Sequence, residues 1–250
     1  MTLRLERHGA IAHLILDRAA KRNAITQAMW ERFPELIGEA MADDGVRVLL
    51  LRAAEPGAFS AGADIAEFAT GVGDPRWRER NQAAIATAQL TLAGAPKPTV
   101  ALIEGDCVGG GCGLAIACDL RVATAAARFG ITPAKLGLVY SLHDTKLLVD
   151  LVGPGQAKRI LFTAGLIDAA EAHRIGLVDL LDTDALALAD TIAGNSAHTV
   201  REAKAMVRRI VHGQAEDDAV TRMLFAAAFT GPDFAEGVGA FLAKRRPVFR

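Results

Sequence analysis

Strands alternating with helices as far as Leu181, then a tail in which no strand can be read, predict an α/β core with a small helical domain. Two further observations support this. Apolar residues make up 51% of the 250 positions, which suits one large folded core rather than a disordered chain. The apolar runs between Leu3 and Leu181 are short, strand-sized and punctuated by Gly and Pro, whereas those after Asp184 recur at helical spacing.

Leu3–Arg7 and Ile11–Asp17 read as two short strands. Thr26 reads as a helix N-cap, followed by Met29, Phe33, Leu36, Ile37 and Ala40 on one face. Val46–Arg52 is a compact buried strand, and a loop with Pro56 and Gly57 follows it. A helix is expected to begin near Asp64, and another to span Asp74–Gly94, closed by Gly94 and the Pro96/Pro98 pair. Thr99–Ile103 is a strand that leads into the cluster Gly109-Gly110-Gly111. A helix over Cys112–Cys118 and a strand over Leu120–Ala123 come next. Beyond Phe129 the chain predicts a helical turn, a helix from His143 to Val152 broken at Gly153-Pro154, a helix over Asp168–Ile175 stopped by Gly176, and a strand over Leu177–Leu181. The tail is helical, with breaks at Gly194-Asn195, Gly213 and Gly231-Pro232.

The net charge of −1 gives no bulk attraction to nucleic acid or to an anionic membrane, so an anionic ligand has to be met by a local basic patch. No apolar stretch is long and unbroken enough to span a bilayer, and the first residues do not read as a signal peptide. Cys107, Cys112 and Cys118 are an odd number of thiols without a Cys-x-x-Cys pair. They predict buried thiols in a reducing cytoplasm and no metal site.

Two segments carry chemistry. Phe59-Ser60-Ala61-Gly62-Ala63-Asp64-Ile65 follows a buried strand, and its small residues allow a ligand to approach the backbone, although a plain strand-to-helix turn explains the same residues. In Glu104–Ala115, three adjacent glycines at a strand-to-helix junction leave amides free to meet an acceptor, aided by the helix dipole. A Walker loop needs Lys-Ser/Thr after the last glycine, and Cys112-Gly113 stands there instead. A dinucleotide fingerprint needs glycine at position 114, which is Leu.

Together the two segments resemble the crotonase, or enoyl-CoA hydratase/isomerase, superfamily. Asp17–Thr26 is similar to its N-terminal coenzyme A segment, Phe59–Ile65 to its Phe-x-Ala-Gly-x-Asp loop, and Lys97–Ala123 to its central signature. Thr163–Leu181 and Glu236–Phe249 are similar to its later segments, so the likeness covers almost the whole chain. The resemblance implies a crotonase-type spiral of strand-strand-helix turns over residues 1–183, and a helical region over 184–250 that assembles a homotrimer or a dimer of trimers. It also implies an acyl-coenzyme A substrate and no cofactor beyond the coenzyme A that the substrate carries. The N–H groups of Ala61 and Gly110 are expected to form an oxyanion hole for the thioester oxygen. Ala61, Gly62, Ala63, Asp64 and Ile65 are expected to line the coenzyme A, along with Ala24. Lys21 and Arg22 are candidates for its phosphates, and a solvated loop accounts for them equally well.

The sequence also departs from the hydratases. Hydration of an enoyl thioester uses two positioned glutamates, and the signature places their positions at Gly113 and Pro133, neither of which titrates. Thr132-Pro133 through Tyr140 is more similar to a segment of methylmalonyl-CoA decarboxylases, whose tyrosine belongs to the active site. Tyr140 is the single tyrosine of this chain. Those decarboxylases carry histidine where this chain has Ala63, and an acidic residue where it has Gly113. The likeness therefore implies an enzyme acting on an acyl-coenzyme A through an enolate: a decarboxylase, isomerase or lyase, or a hydratase that uses unusual groups. The alternative is a non-catalytic acyl-coenzyme A binder. Tyr140 is a candidate catalytic group or a structural one. His143 is a candidate acid-base group, Asp144 reads as a helix N-terminal dipole partner, and Glu67 reads as a solvated side chain.

Overall fold

A computed structural model describes residues 2–249. The strands are β1 (Leu3–His8), β2 (Ile11–Leu16), β3 (Val48–Ala53), β4 (Thr99–Ile103), β5 (Asp106–Val108), β6 (Leu120–Ala123), β7 (Arg128–Gly130), β8 (Ile167–Asp168) and β9 (Leu180–Leu181). The helices are α1 (Gln27–Ala42), α2 (Ile65–Gly71), α3 (Pro75–Ala93), α4 (Gly110–Ala117), α5 (Leu142–Thr163), α6 (Ala169–Arg174), α7 (Ala185–Ala193), α8 (Ala197–Val211), α9 (Ala219–Ala228) and α10 (Pro232–Leu242).

Six strands form the main sheet in the order β1-β2-β3-β4-β6-β9, with β1 antiparallel to β2 and the remaining pairs parallel. A parallel sheet is buried on both faces, and so the apolar runs of β2 and β3 are almost continuous. One face carries the large core built on Leu14, Leu49, Phe33, Leu92 and Leu114. The other is covered by α7, whose Ala185, Ala189 and Ala193 pack beside Val48, Leu50, Val100 and Val122. The helical region expected from position 184 therefore begins with a helix that belongs to the core.

A second sheet, β5-β7-β8, is too short to be read from periodicity. It turns the chain out of β4 and aims it at the N-terminus of α4. Thr26 caps α1 by accepting from the Met29 N–H, and Asp74 caps α3. The break expected at Gly153-Pro154 is present within the span of α5, where Gly153 takes φ 73° and ψ 163°, outside helical geometry, and separates two helical segments. Beyond Leu181 no strand is formed among the described residues.

The helices after α7 leave their apolar side chains in the open. Val207, Ile210, Met223, Phe225, Phe229 and Phe241 are all exposed. Among the described residues no helix is long and apolar enough to cross a membrane. All three cysteines are free and buried, and among the described residues no group of His, Cys, Asp and Glu has metal-binding geometry.

Candidate active site

Two loops, one leaving a strand of each sheet, meet backbone to backbone. The first runs from β3 through Phe59–Asp64 into α2, and the second from β5 through Gly109 into α4. Gly62 has φ +91° and Gly109 φ +54°, both in the left-handed region that favours glycine. A β-carbon on Gly62 would stand 2.9 Å from the Val108 carbonyl and 3.3 Å from the Gly110 nitrogen. A β-carbon on Gly110 would stand 2.9 Å from Trp30 Cζ2, so the indole of α1 is the floor of this junction. Ser60, fully buried, ties the first loop down. Its hydroxyl donates to the Asn23 carbonyl at 2.8 Å and accepts from the Gly62 N–H at 3.1 Å. The Asn23 side chain in turn accepts from the Arg18 N–H and donates to the Ala58 carbonyl.

This geometry corrects one expected donor. The Ala61 N–H is committed, donating to the Arg22 carbonyl at 2.9 Å, because the loop pairs with the Arg18–Ile25 segment. An amide engaged in that pairing is not free to meet a ligand oxygen. Two residues on, Ile25 donates to the Gly62 carbonyl and Asp64 donates to the Ile25 carbonyl, which leaves the intervening Ala63 N–H facing away from the pairing. Among the described residues neither the Ala63 N–H nor the Gly110 N–H has a protein acceptor. They are neighbours, since the β-carbon position of Gly110 lies 4.0 Å from the Ala63 nitrogen. The alternation of bonded and free amides along the loop was the missing signal, and it depends on a long-range pairing that no local spacing reveals.

The remaining expected ligand-lining residues fall as follows. Asp64 caps α2 by accepting from Ala66 and Glu67 N–H groups, and it receives Arg18 Nη1 at 2.7 Å. The Arg18 hydrogen bond holds its carboxyl below the ordinary carboxylate range. Ala24 accepts from Arg18, and Ile65 is largely exposed. Lys21 is exposed at the end of a short 3-10 turn. Arg22 is half-engaged, with its guanidinium against Asp106, a carboxylate that also receives Arg128 at 2.7 Å. Glu67 is not a free surface group, because it accepts from the Gln27 N–H at 2.7 Å and so closes the start of α1.

One helical turn beyond Gly110 lies Gly113. Its missing side chain is replaced from across the site, because a β-carbon there would stand 2.2 Å from Gln89 Nε2 and 3.3 Å from the Tyr140 hydroxyl. Gln89 comes from α3 and is 1% exposed. Tyr140 and the start of α5 close the same space. Ser141 caps α5, donating its hydroxyl to Asp144 Oδ2 at 2.8 Å and accepting from the Asp144 N–H. Asp144 is 3% exposed. Burial pushes its carboxyl up, against the opposing pull of Ser141, His143 and Gln89. Burial, and then the nearby Asp144 carboxylate, raise the Tyr140 phenol well above its ordinary value. The dipole role read for Asp144 thus understates it, since this carboxylate is buried in a polar cluster.

Among the described residues four buried polar atoms in this cluster, Gln89 Nε2, Tyr140 OH, His143 Nε2 and Asp144 Oδ1, make no well-formed hydrogen bond, although the Gln89 amide is near enough to Asp144 to draw its carboxyl down. Such atoms are uncommon in folded proteins and gather where a ligand supplies the partner. Pro133, the second position expected of a hydratase glutamate, opens the 3-10 turn Pro133–Leu136 and carries no ionisable group. Gln89 was invisible at the sequence level, because it sits within a long polar helix with no motif around it.

Comparison with known proteins shows the family and the fold. Residues 6–250 match the profile of the enoyl-CoA hydratase/isomerase family. The chain is 32% identical to the crotonyl-CoA hydratase of Syntrophomonas wolfei over 98% of its own length and 96% of that protein's. It is 32% identical to the short-chain-enoyl-CoA hydratase of Clostridium acetobutylicum, over 97% and 95%. Among solved structures, an enoyl-CoA hydratase/isomerase family protein from Hyphomonas neptunium superposes with a TM-score of 0.94 at 41% identity, covering 100% of this chain and 98% of that one. The fold is therefore the crotonase spiral, and the chain belongs to the enoyl-CoA hydratase/isomerase family.

Proposed function

We propose that the protein binds an acyl-coenzyme A thioester with its carbonyl oxygen between the N–H groups of Ala63 and Gly110, and that it is an enolate-forming lyase or isomerase rather than an efficient hydratase. The single observation that carries this reading is the meeting of two partnerless amides with a buried acid-base cluster at Gly113. As an α-carbanion forms, its charge moves onto the thioester oxygen. Each preorganised donor there is worth about 3–4 kcal/mol. The donors are backbone groups, so the small residues at 63 and 110 suffice.

Water addition lacks its usual groups, since neither Gly113 nor Pro133 holds a proton. Decarboxylation needs no external base. The Cα–carboxylate bond breaks, its electron pair becomes the enolate, and carbon dioxide leaves. A proton must then reach Cα, and Tyr140 and Asp144 are the buried groups beside the cluster that can hold one. Tyr140 also suits orienting a substrate carboxylate. His143 stays an acid-base candidate, with its Nε2 in the same buried group.

Lys21, with Arg22 in part, meets the phosphates of coenzyme A, and the segment Ala61–Ile65 together with Ala24 runs beside the rest of it. The helices after α7 assemble three copies, or six, as the row of exposed apolar side chains from Val207 to Phe241 supports. A reducing cytoplasm suits three free buried thiols.

The test is incubation with crotonyl-CoA, methylmalonyl-CoA and a 3-enoyl-CoA, with products followed by mass spectrometry. Product from one of the last two with little from crotonyl-CoA is expected. Rapid hydration of crotonyl-CoA overturns the reading. Binding of all three without turnover establishes the non-catalytic alternative.

A further inference from the structure

The turn that takes up the Ala61 amide has an uncommon backbone. Arg22 and Asn23 have φ 52° and 53°, in the left-handed region that a side chain opposes. Asparagine tolerates it, because its short side chain bonds locally, and arginine does not. Such a conformation persists only where the surroundings over-determine it. Asn23 is fixed at both ends of its amide, by the Arg18 N–H and the Ala58 carbonyl. Among the described residues the Arg22 guanidinium has one partner, the Asp106 carboxylate. Asp106 opens β5 and is 8% exposed. Arg128 grips it twice, Nε to Oδ1 at 2.7 Å and Nη2 to Oδ2 at 2.9 Å, so the carboxylate is preset for Arg22. Its backbone belongs to the donor loops as well. The Asp106 carbonyl accepts from the Ser60 N–H at 3.0 Å, and the Val108 N–H donates to the Ser60 carbonyl at 2.9 Å.

We infer that Asp106 is a positioning residue: by anchoring the Arg22 guanidinium it fixes the turn whose carbonyl takes up the Ala61 N–H, and so leaves the Ala63 N–H as the partner of the Gly110 N–H at the thioester oxygen. The inference rests on the acyl-coenzyme A reading given above and deepens it. An ordinary surface ion pair leaves both members wet and holds little in place. Here the carboxylate is the buried member, and Arg22 reaches in to it from a side chain that is 62% exposed. Without Asp106 the Arg22 head returns to water, and nothing offsets the positive φ at its backbone. The residue then relaxes to negative φ, its carbonyl turns away from the Ala61 N–H, and the alternation of bonded and free amides along the loop is lost.

Acetoacetyl-CoA on the full chain tests this. It loses the proton between its two carbonyls to give an absorbing enolate, with charge on the thioester oxygen. The ratio of enolate to keto form on saturated protein reads the donors and not the affinity. The wild type is expected to raise that ratio above its value in free solution. Asp106→Ala is expected to lower the raised ratio about tenfold, a part of what one donor supplies. Its coenzyme A affinity, by calorimetry, is expected to stay within about twofold of the wild type. Asp106→Asn keeps the shape and loses the charge, and is expected to lower the ratio about threefold, since a charge-assisted bond is roughly twice as strong as a neutral one. A wild-type ratio in either folded variant overturns the inference. A parallel loss of coenzyme A affinity marks a merely structural role and overturns it too. On an Arg22→Gly background, Asp106→Ala is expected to change the ratio no further. A full additional loss there shows a route other than Arg22 and also overturns it. If the wild type holds acetoacetyl-CoA with no more enolate than free solution, or does not bind it, the acyl-coenzyme A reading itself fails and the inference falls with it.

Discussion

Replacing Gly113 by Glu puts a carboxyl back where the signature of a hydratase would carry one, and the structure says why this change alone will not create a hydratase. The new β-carbon would stand 2.2 Å from Gln89 Nε2, 3.4 Å from Gln89 Cδ and 3.3 Å from the Tyr140 hydroxyl. The amide is the mobile end of its side chain, but Gln89 is 1% exposed and has nowhere to move without displacing its neighbours. Overpacking of this kind costs about 1–3 kcal/mol. Removing a glycine from α4 returns about 0.8–1 kcal/mol at most. A second carboxylate buried near Asp144 adds a like-charge penalty, which the folded protein meets by keeping one of the pair protonated. Gly113→Glu is therefore expected to melt below the wild type and to hydrate crotonyl-CoA no faster. Adding Gln89→Ala opens the room the glutamate needs. The double variant should regain the lost stability in part and raise hydration by about 10²-fold, the lower end of what one acid-base group contributes. Circular dichroism melts and the fall in enoyl thioester absorbance measure both quantities. If Gly113→Glu by itself is as stable as the wild type and hydrates faster, Gln89 does not occupy the place of that side chain.

Gly62→Ala is expected to lose about 1–3 kcal/mol of stability, since φ +91° and a 2.9 Å approach to the Val108 carbonyl both oppose a β-carbon. Urea unfolding reads this. His13 is held down from 6.5 to about 4, chiefly by burial and then by Arg52, whose Nε donates to its Nδ1. Its folded value lies below its unfolded one, so its contribution is complete above pH 6.5 and is lost as the pH falls towards 4. The melting temperature should drop over that window, and His13→Gln should flatten the drop. Coenzyme A affinity should fall as salt rises from 50 to 300 mM, on the order of the screening expected for exposed charge pairs, with Lys21→Ala showing a weaker salt dependence in calorimetry. Light scattering at micromolar concentration should give three or six copies, and Phe241→Glu should lower that number.

Most of the fold was legible because it is written in burial. β4 and β6 fall at Thr99–Ile103 and Leu120–Ala123, as their apolar runs predict, and Thr26 and Gly153 mark a cap and a break at the expected places. Strands β5, β7 and β8 were missed because two or three residues give no periodicity. The break at Gly153 is real, and a second helical segment restarts at Pro154, a residue suited to a first helical turn, and runs to Thr163. Helix α7 was assigned to the tail because its apolar face is made of alanines, and nothing local says that the partner is the sheet rather than another helix.

The site was legible in its motifs but not in its donors. Glycine at 62, 109 and 110 announces close backbone approach, and that approach is real. Which amide stays free is decided by a pairing between residues 18–25 and 60–64, so Ala61 and Ala63 cannot be told apart from composition. The absence of glutamates at 113 and 133 was visible in the sequence, but its consequence was not. A glycine on a helix facing a pocket leaves space, and space in a packed interior is filled by something. Here it is filled by a polar group from α3, whose Nε2 lies 2.2 Å from where a β-carbon on 113 would stand. Exchanging an ionisable group for an amide at one point changes the chemistry from proton transfer to recognition, since an amide can hold an oxygen in place but cannot take its proton. On the proposed reading, a family member with glycine at 113 keeps the backbone donors that bind and orient a thioester. The same reading needs a proton from elsewhere, and it assigns that proton to the Asp144–Tyr140 pair, whose carboxyl and phenol are both raised by burial.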